Sequence, residues 1–295
     1  MRYIVWARWA SNDTSIWELL MTTEAKVAGH YTRGKLEDAI LSAVAREGRD
    51  PANLSPLDLA AVDEFHVGGI DSTRELAALM ELRSDLRLLD VGCGIGGPAR
   101  YFAAEHGCIV SGIDLTEEFV RVAKSLSQLV KLQHLVEFRQ ASALQLPFDG
   151  QCFDRAYMIH VGMNIADKAG VFREVRRVLK PGGLFMVFDF VRIADGPIRY
   201  PVPWALSEET SFVVAAKEYR NALLAAGFEI VHERGRRAFA IEFTEQRIAR
   251  LAQGGPPALG LQLLMGEKTP MMTGNMLGMM KEGLLEPVEI CARAV

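Results

Sequence analysis

The run Leu86-Arg87-Leu88-Leu89 passes directly into Asp90-Val91-Gly92-Cys93-Gly94-Ile95-Gly96-Gly97, and Pro98-Ala99-Arg100-Tyr101-Phe102 follows. This stretch constrains the fold most tightly. An apolar run ending in a glycine-rich turn and then a helical pattern reads as strand, tight turn, helix. Glycine lets a backbone turn sharply and approach a ligand with no Cβ in the way. The helix that follows aims free N–H groups and its positive dipole end at that ligand. The carboxylate of Asp90 stands just before the glycines, where it suits a ligand with a cationic end better than a pyrophosphate.

The rest of the chain supplies the setting for this unit. From Leu86 onward strands and helices alternate. Cys108–Ile113 reads as a second strand, Leu135–Phe138 as a third, Phe153–Ile159 as a fourth and Leu184–Val191 as a fifth. Thr116 is placed to cap the helix carrying Val122, Leu126 and Leu129. Val171, Val175, Val178 and Leu179 line a helix that stops at Lys180-Pro181-Gly182-Gly183. A helix over 211–226 follows, then a strand from Phe228, a helical insertion at about 244–283 and a last strand over 287–294. Near-continuous apolar strands alternating with helices predict a doubly wound α/β fold, a mostly parallel sheet with helices on both faces. Ahead of it, residues 21–84 read as a helical N-terminal cap. Leu36, Ile40 and Val44 share one helix face, a short helix follows Pro56, and Ser72 or Thr73 is placed to cap another. Met1 to Trp9 is aromatic-rich, and residues 1–20 read as an extension or tail, leaving 85–295 as the main domain.

Composition excludes some classes. At 295 residues with 49% hydrophobic and 24% charged content, the chain is ordinary for a globular enzyme. A net charge of −4 gives no support to nucleic-acid or anionic-membrane binding. The four cysteines form no C-x-x-C pair, and no Cys/His cluster has zinc spacing. Reduced thiols and a cytoplasmic location are the expectation, with no metal site. No apolar run reaches the roughly 18 residues needed to span a bilayer. Oligomeric state stays open, a homodimer included.

Two cofactor readings compete at the glycine turn. Gly92, Gly94 and Gly97 satisfy G-x-G-x-x-G, the dinucleotide fingerprint. Asp114 ends the second strand, where a carboxylate accepts two ribose hydroxyls in NAD and S-adenosylmethionine (SAM) alike. Asp90 before the first glycine, Gly96 giving a G-x-G-x-G form, and some 85 residues of preceding chain favour SAM.

Taken with the later segments, Leu88–Gly97 resembles the first motif of class I SAM-dependent methyltransferases. Gly112-Ile113-Asp114-Leu115-Thr116 resembles their acidic ribose-binding element. Leu146-Pro147-Phe148-Asp149 with Phe153-Asp154 resembles the approach to strand 4, and Arg173–Gly183 the helix and turn before strand 5. Glu64-Phe65-His66-Val67-Gly68-Gly69 resembles a loop of small-molecule methyltransferases of the sarcosine/dimethylglycine and tocopherol type. The resemblance implies roles. Asp90 would hold the methionine ammonium, Gly92, Gly94 and Gly96 would admit the cofactor to the backbone, and Asp114 would bind the ribose with Leu115 on adenine. The family commonly has an aspartate after strand 3 for the adenine amino group. Here Ser142 stands in that place, with the Ala143 N–H beside it.

His160, at the end of strand 4, faces the crevice where open sheets bind ligands, as general base, donor or packed histidine. His66 is the second catalytic candidate. Tyr31, His66, Tyr200 and Trp204 are candidate substrate-pocket residues. Tyr31 and Lys35 also match Y-x-x-x-K, but they precede the nucleotide site. Met271, Met272, Met276, Met279 and Met280 read as adaptable core filling or a lid. The combined reading is methyl transfer from SAM to a small-molecule acceptor by in-line displacement. The rivals are an NAD(P)-dependent oxidoreductase and a non-catalytic SAM-binding protein. Hydrogen bonds to a charged group are worth about 1.5–3 kcal/mol each. Replacing Asp114 with alanine is therefore expected to weaken SAM binding by roughly 10–100-fold, measured by calorimetry; unchanged affinity contradicts the ribose assignment.

Overall fold

The computed structural model describes residues 22–295. The extension read over residues 1–20 lies outside the described residues. Among the described residues, four α-helices precede the first strand: α1 (Thr23–Tyr31), α2 (Leu36–Arg46), α3 (Pro56–Asp63) and α4 (Gly69–Leu79). The alternating unit follows as β1 (Arg87–Val91), α5 (Gly97–His106), β2 (Ile109–Asp114), α6 (Glu117–Leu129), β3 (Val136–Gln140), β4 (Phe153–Ile159), α7 (Lys168–Val178) and β5 (Leu179–Arg192). The chain ends with α8 (Ala216–Ala225), β6 (Phe228–Gly235), α9 (Arg237–Gly254), α10 (Gln262–Met265), α11 (Thr269–Lys281) and β7 (Leu285–Ala294).

The seven strands form one sheet in the order β3-β2-β1-β4-β5-β7-β6. β1 to β5 pair in parallel, and β7 inserts antiparallel between β5 and β6. The doubly wound expectation holds. The seventh strand also separates this sheet from the dinucleotide-binding order 3-2-1-4-5-6. Side-chain alternation explains the two layers. Leu88, Met186 and Phe188 face the core under α4 and α5. Leu89, Phe185 and Val187 face the core under α7 and α8. All six are fully buried, and burying each such side chain contributes roughly 1.5–3 kcal/mol. Because β1, β2 and β4 run in parallel, the residues that follow them gather at one edge.

Several boundaries differ from the sequence reading. α4 starts at Gly69 behind a left-handed Gly68, so Ser72 and Thr73 are buried inside the helix rather than capping it. β5 begins at Leu179, and Lys180–Gly183 continue the strand instead of forming a separate turn. The helix expected over 211–226 covers only Ala216–Ala225. The insertion between β6 and β7 starts at Arg237, seven residues before its expected position. Thr116 precedes α6, but its side chain makes no capping bond. The buried Glu118 instead accepts the Gly34 and Leu36 N–H groups at 2.8 and 3.0 Å, tying α2 to α6.

The N-terminal helices are fastened to the sheet unit by a buried ion pair. Arg100 on α5 donates to the Asp63 carboxylate at 2.6 Å and to the Ile95 carbonyl at 2.7 Å. The two side chains are 0% and 2% exposed. Breaking a buried pair from one side leaves an uncompensated charge and costs about 3–5 kcal/mol. Arg100→Met is expected to destabilise the protein by about that amount in urea unfolding, and the Arg100→Met/Asp63→Leu double variant to recover part of the loss. A single variant as stable as wild type would show that the pair does not fasten the two parts.

Candidate active site

The strand tips open onto a cavity of about 340 Å³. Its lining draws on β1, β2, β4, the loops after them, and the helices α1, α9 and α10. Asp90, Gly92, Gly94, Asp114, Leu115, Ala143 and His160 all line it, as do Tyr31, His66 and Trp204.

The glycine turn is shaped by crowding. Gly92 has φ 78°, and a Cβ there would lie 2.4 Å from Val161 Cγ2. Gly94 donates its N–H to Asp114 Oδ2 at 2.9 Å, so the turn is pinned to the tip of β2. Asp114 Oδ1 accepts the Thr116 N–H at 2.8 Å. Each carboxylate oxygen keeps capacity for a further hydrogen bond. Asp90 is 3% exposed and accepts the Tyr157 hydroxyl at 2.9 Å. Burial pushes its pKa up to about 8, against the Tyr157 bond and reinforced by the charges of Asp114 and Glu64. Burial also raises the Asp114 pKa, opposed by its backbone hydrogen bonds. No arginine or lysine side chain accounts for either group, so this end of the cavity favours a cationic ligand. SAM fits that donor set. Asp90 would hold the ammonium, Asp114 the ribose, and Leu115 and Ala143 would flank the base. When bound, SAM supplies an electrophilic methyl on a sulfonium.

Three expected site residues lie elsewhere. Gly96 has φ 82°, and a Cβ there would lie 2.6 Å from Phe138 and 2.9 Å from Arg100. Its glycine character is required by packing at the start of α5. Ser142 gives its hydroxyl to Glu24 on α1 and accepts the Leu144 N–H, and it is not among the lining residues. Its neighbours Ala141 and Ala143 take the lining positions instead. Tyr200 packs against the core cluster that contains Met276, Met279 and Met280. The same segment turns Pro203 and Trp204 inward, with Trp204 stacked on Phe190 at 5.1 Å.

The two candidate histidines are placed differently. The His160 ring is held on both sides: Nδ1–H donates to the Phe188 carbonyl at 3.1 Å, and Nε2 accepts the Val67 N–H at 3.2 Å. Its backbone is left-handed, φ 54°, a costly conformation that these bonds and the His160 N–H to Phe188 carbonyl bond at 2.7 Å maintain. Burial, helped by His66, lowers its pKa to about 3. With no free lone pair, His160 cannot take a substrate proton in this arrangement. It positions the 65–67 loop. His66 places Nε2 3.1 Å from the Gly69 carbonyl and 3.4 Å from Glu64 Oε2. A carbonyl only accepts, so Nε2 carries the proton and Nδ1 keeps the lone pair. Burial lowers the His66 pKa to about 4 and raises that of Glu64 to about 8.

Sequence reading missed several lining groups. Asn164 holds the Tyr31 hydroxyl on Oδ1 at 3.0 Å and donates to the Trp204 and Thr210 carbonyls at 2.8 Å each. Phe65, Phe119, Phe190, Phe243, Leu261, Leu264, Met265 and Met276 make most of the remaining wall apolar. Cys93 also lines the cavity, but burial raises its thiol pKa well above the usual value, which disfavours a nucleophilic thiolate. Among the described residues, no group of three or more His, Cys, Asp or Glu side chains is placed to hold a metal ion. Nor is any helix among them long and apolar enough to cross a membrane.

Residues 89–187 match the family model of a methyltransferase domain. Sterol 24-C-methyltransferase ERG6B of Gibberella zeae is 31% identical over 165 residues, covering 53% of this chain and 43% of that protein. Methyltransferase GfsG of Streptomyces halstedii is 32% identical over 134 residues, covering 45% of this chain and 48% of that one. The chain thus spans less than half the length of these curated relatives. Two solved structures share the fold over nearly the whole chain. Geranyl diphosphate C-methyltransferase from Streptomyces coelicolor A3(2), in complex with Mg2+, geranyl diphosphate and S-adenosyl-L-homocysteine, superposes with a TM-score of 0.68 at 17% identity, covering 94% of this chain and 99% of that one. The [4+2]-cyclase SpnF superposes with a TM-score of 0.64 at 24% identity, covering 93% and 97%. Residues 89–187 are thus similar to a methyltransferase domain, and the chain shares the fold of these solved structures.

Proposed function

We propose that this chain transfers a methyl group from SAM to a small, largely apolar acceptor. The observation that carries this reading is the pairing of Asp90 and Asp114 on one cavity whose remaining wall is mostly apolar and aromatic. The domain match supports methyl transfer, and similar proteins are named for sterol and geranyl diphosphate, both apolar-bodied acceptors. The sheet order argues against the oxidoreductase rival.

In this reading the protein works mainly by alignment and exclusion of water. A neutral thioether leaves, so no acid is needed at sulfur. Good alignment of nucleophile and methyl supplies roughly 7–11 kcal/mol of the barrier reduction. Trp204, Phe190 and Met163 wall the acceptor side, while Tyr31 closes the cavity from α1, its hydroxyl held by Asn164 after β4. His66 Nδ1 is the proton acceptor of choice. Its low basicity is tolerable because a hydroxyl or amine becomes strongly acidic as its new bond to carbon forms.

Two outcomes follow. The low-basicity His66 is expected to affect chemistry more than cofactor binding. His66→Gln should lower kcat by about 10²–10⁴-fold while changing S-adenosylhomocysteine (SAH) affinity by less than threefold, once a substrate panel gives turnover. Equal losses would make His66 a cofactor-pocket residue, and no turnover with any acceptor would favour the non-catalytic rival. The second outcome concerns pH. Below about pH 8 the Asp90 carboxyl holds a proton in the ligand-free cavity. An ammonium beside it favours the carboxylate, so binding expels that proton and tightens as pH rises toward 8. SAH affinity measured by calorimetry should rise between pH 6 and 8, by up to about tenfold per unit, with a proton released. Affinity that is flat over this range in wild type would contradict the assignment of Asp90 to the ammonium.

A further inference from the structure

The cavity has one cation in its described lining, Arg247, and the mechanism above does not use it. Arg247 lies on α9 in the insertion between β6 and β7, and its neighbours Phe243 and Thr244 line the same cavity. Positions i, i+1 and i+4 share one helix face, so this face of α9 is turned to the interior.

The acidic groups of the lining are each engaged elsewhere. Asp63 is paired with Arg100, Asp90 holds the Tyr157 hydroxyl, and Asp114 holds the Gly94 and Thr116 N–H groups. Glu24 accepts the Ser142 hydroxyl, and Asp167 caps α7 through the Gly170 N–H at 2.8 Å. Burial lowers the Arg247 pKa, and no carboxylate among the described residues offsets it. A guanidinium that is half removed from water without a counter-ion is costly unless a ligand supplies the anion. The cavity is therefore polarised. Carboxylates at the strand tips suit the cationic cofactor, and a single guanidinium on the insertion faces the apolar acceptor space.

We propose that Arg247 binds an anionic head group, a carboxylate or phosphate, on an acceptor whose body is apolar. The acceptor class is then an amphipathic acid, with its head on the insertion and its apolar body along Phe243, Leu261, Leu264 and Met276. This inference rests on the methyltransferase reading, because the other half of the cavity is assigned to the cofactor. It also gives the insertion a task, the choice of acceptor.

Calorimetry on the full chain saturated with SAH tests it with decanoate, decyl phosphate and 1-decanol as probes. Wild type is expected to bind decanoate or decyl phosphate about 10–100-fold more tightly than 1-decanol. The tighter of the two acids tells carboxylate from phosphate. Arg247→Gln should abolish that preference and leave 1-decanol and SAH affinity within about threefold. Arg247→Lys should keep part of it, since a point charge lacks the planar fork. Wild type that does not prefer the acids, or Arg247→Gln that keeps the preference, overturns the proposal while leaving the methyltransferase reading intact. Failure of wild type to bind SAH overturns the reading beneath it, and the proposal with it.

Discussion

Two carboxylates that share one cavity, with no neutralising cation beside them among the described residues, govern this structure. Asp90 and Asp114 sit on adjacent parallel strands, and each is supported by neutral donors only: a tyrosine hydroxyl for one, backbone N–H groups for the other. Such a pair is unfavourable in a cavity holding only water, and burial raises both pKa values accordingly. It becomes favourable when a ligand brings positive charge and hydroxyl donors. The surrounding architecture serves that placement. The parallel register of β1 and β2 brings the carboxylates to one edge, and the left-handed Gly92 clears the space beside Val161.

The acceptor side follows a different logic. Its wall is aromatic and aliphatic, and its polar groups mostly hold one another rather than waiting for substrate. His160 spends both ring nitrogens on the backbone, which fixes the loop carrying His66. Asn164 likewise ties α1 to the segment after β5. A cavity built this way orients an apolar molecule by shape and leaves recognition to a few polar groups. Arg247 on the insertion is the charged member of that set.

The fold was legible because its signals are local. A strand, a glycine turn and a helix are specified by consecutive residues, and the Asp90 and Asp114 positions follow from strand ends. What escaped was whatever depends on which side of an element faces inward. Ser142 and Tyr200 occupy the expected loops, yet each points its side chain into another contact, with Glu24 and with the methionine-rich core respectively. Gly96 belongs to the motif but answers to Phe138. Arg247 lies in a helix with many charges, so nothing in one dimension separates it from the exposed Arg250. Helix starts also moved where a left-handed glycine, as at Gly68, replaced the side-chain cap that Ser72 suggested.

The central claim is that the paired carboxylates hold an adenosyl sulfonium. Equilibrium binding of tritiated SAM to the full chain, with SAH and NADH as competitors, tests it most directly. The account predicts saturable binding of about one SAM per chain, displaced by SAH and untouched by NADH. No SAM binding, or displacement by NADH at comparable concentration, would contradict it.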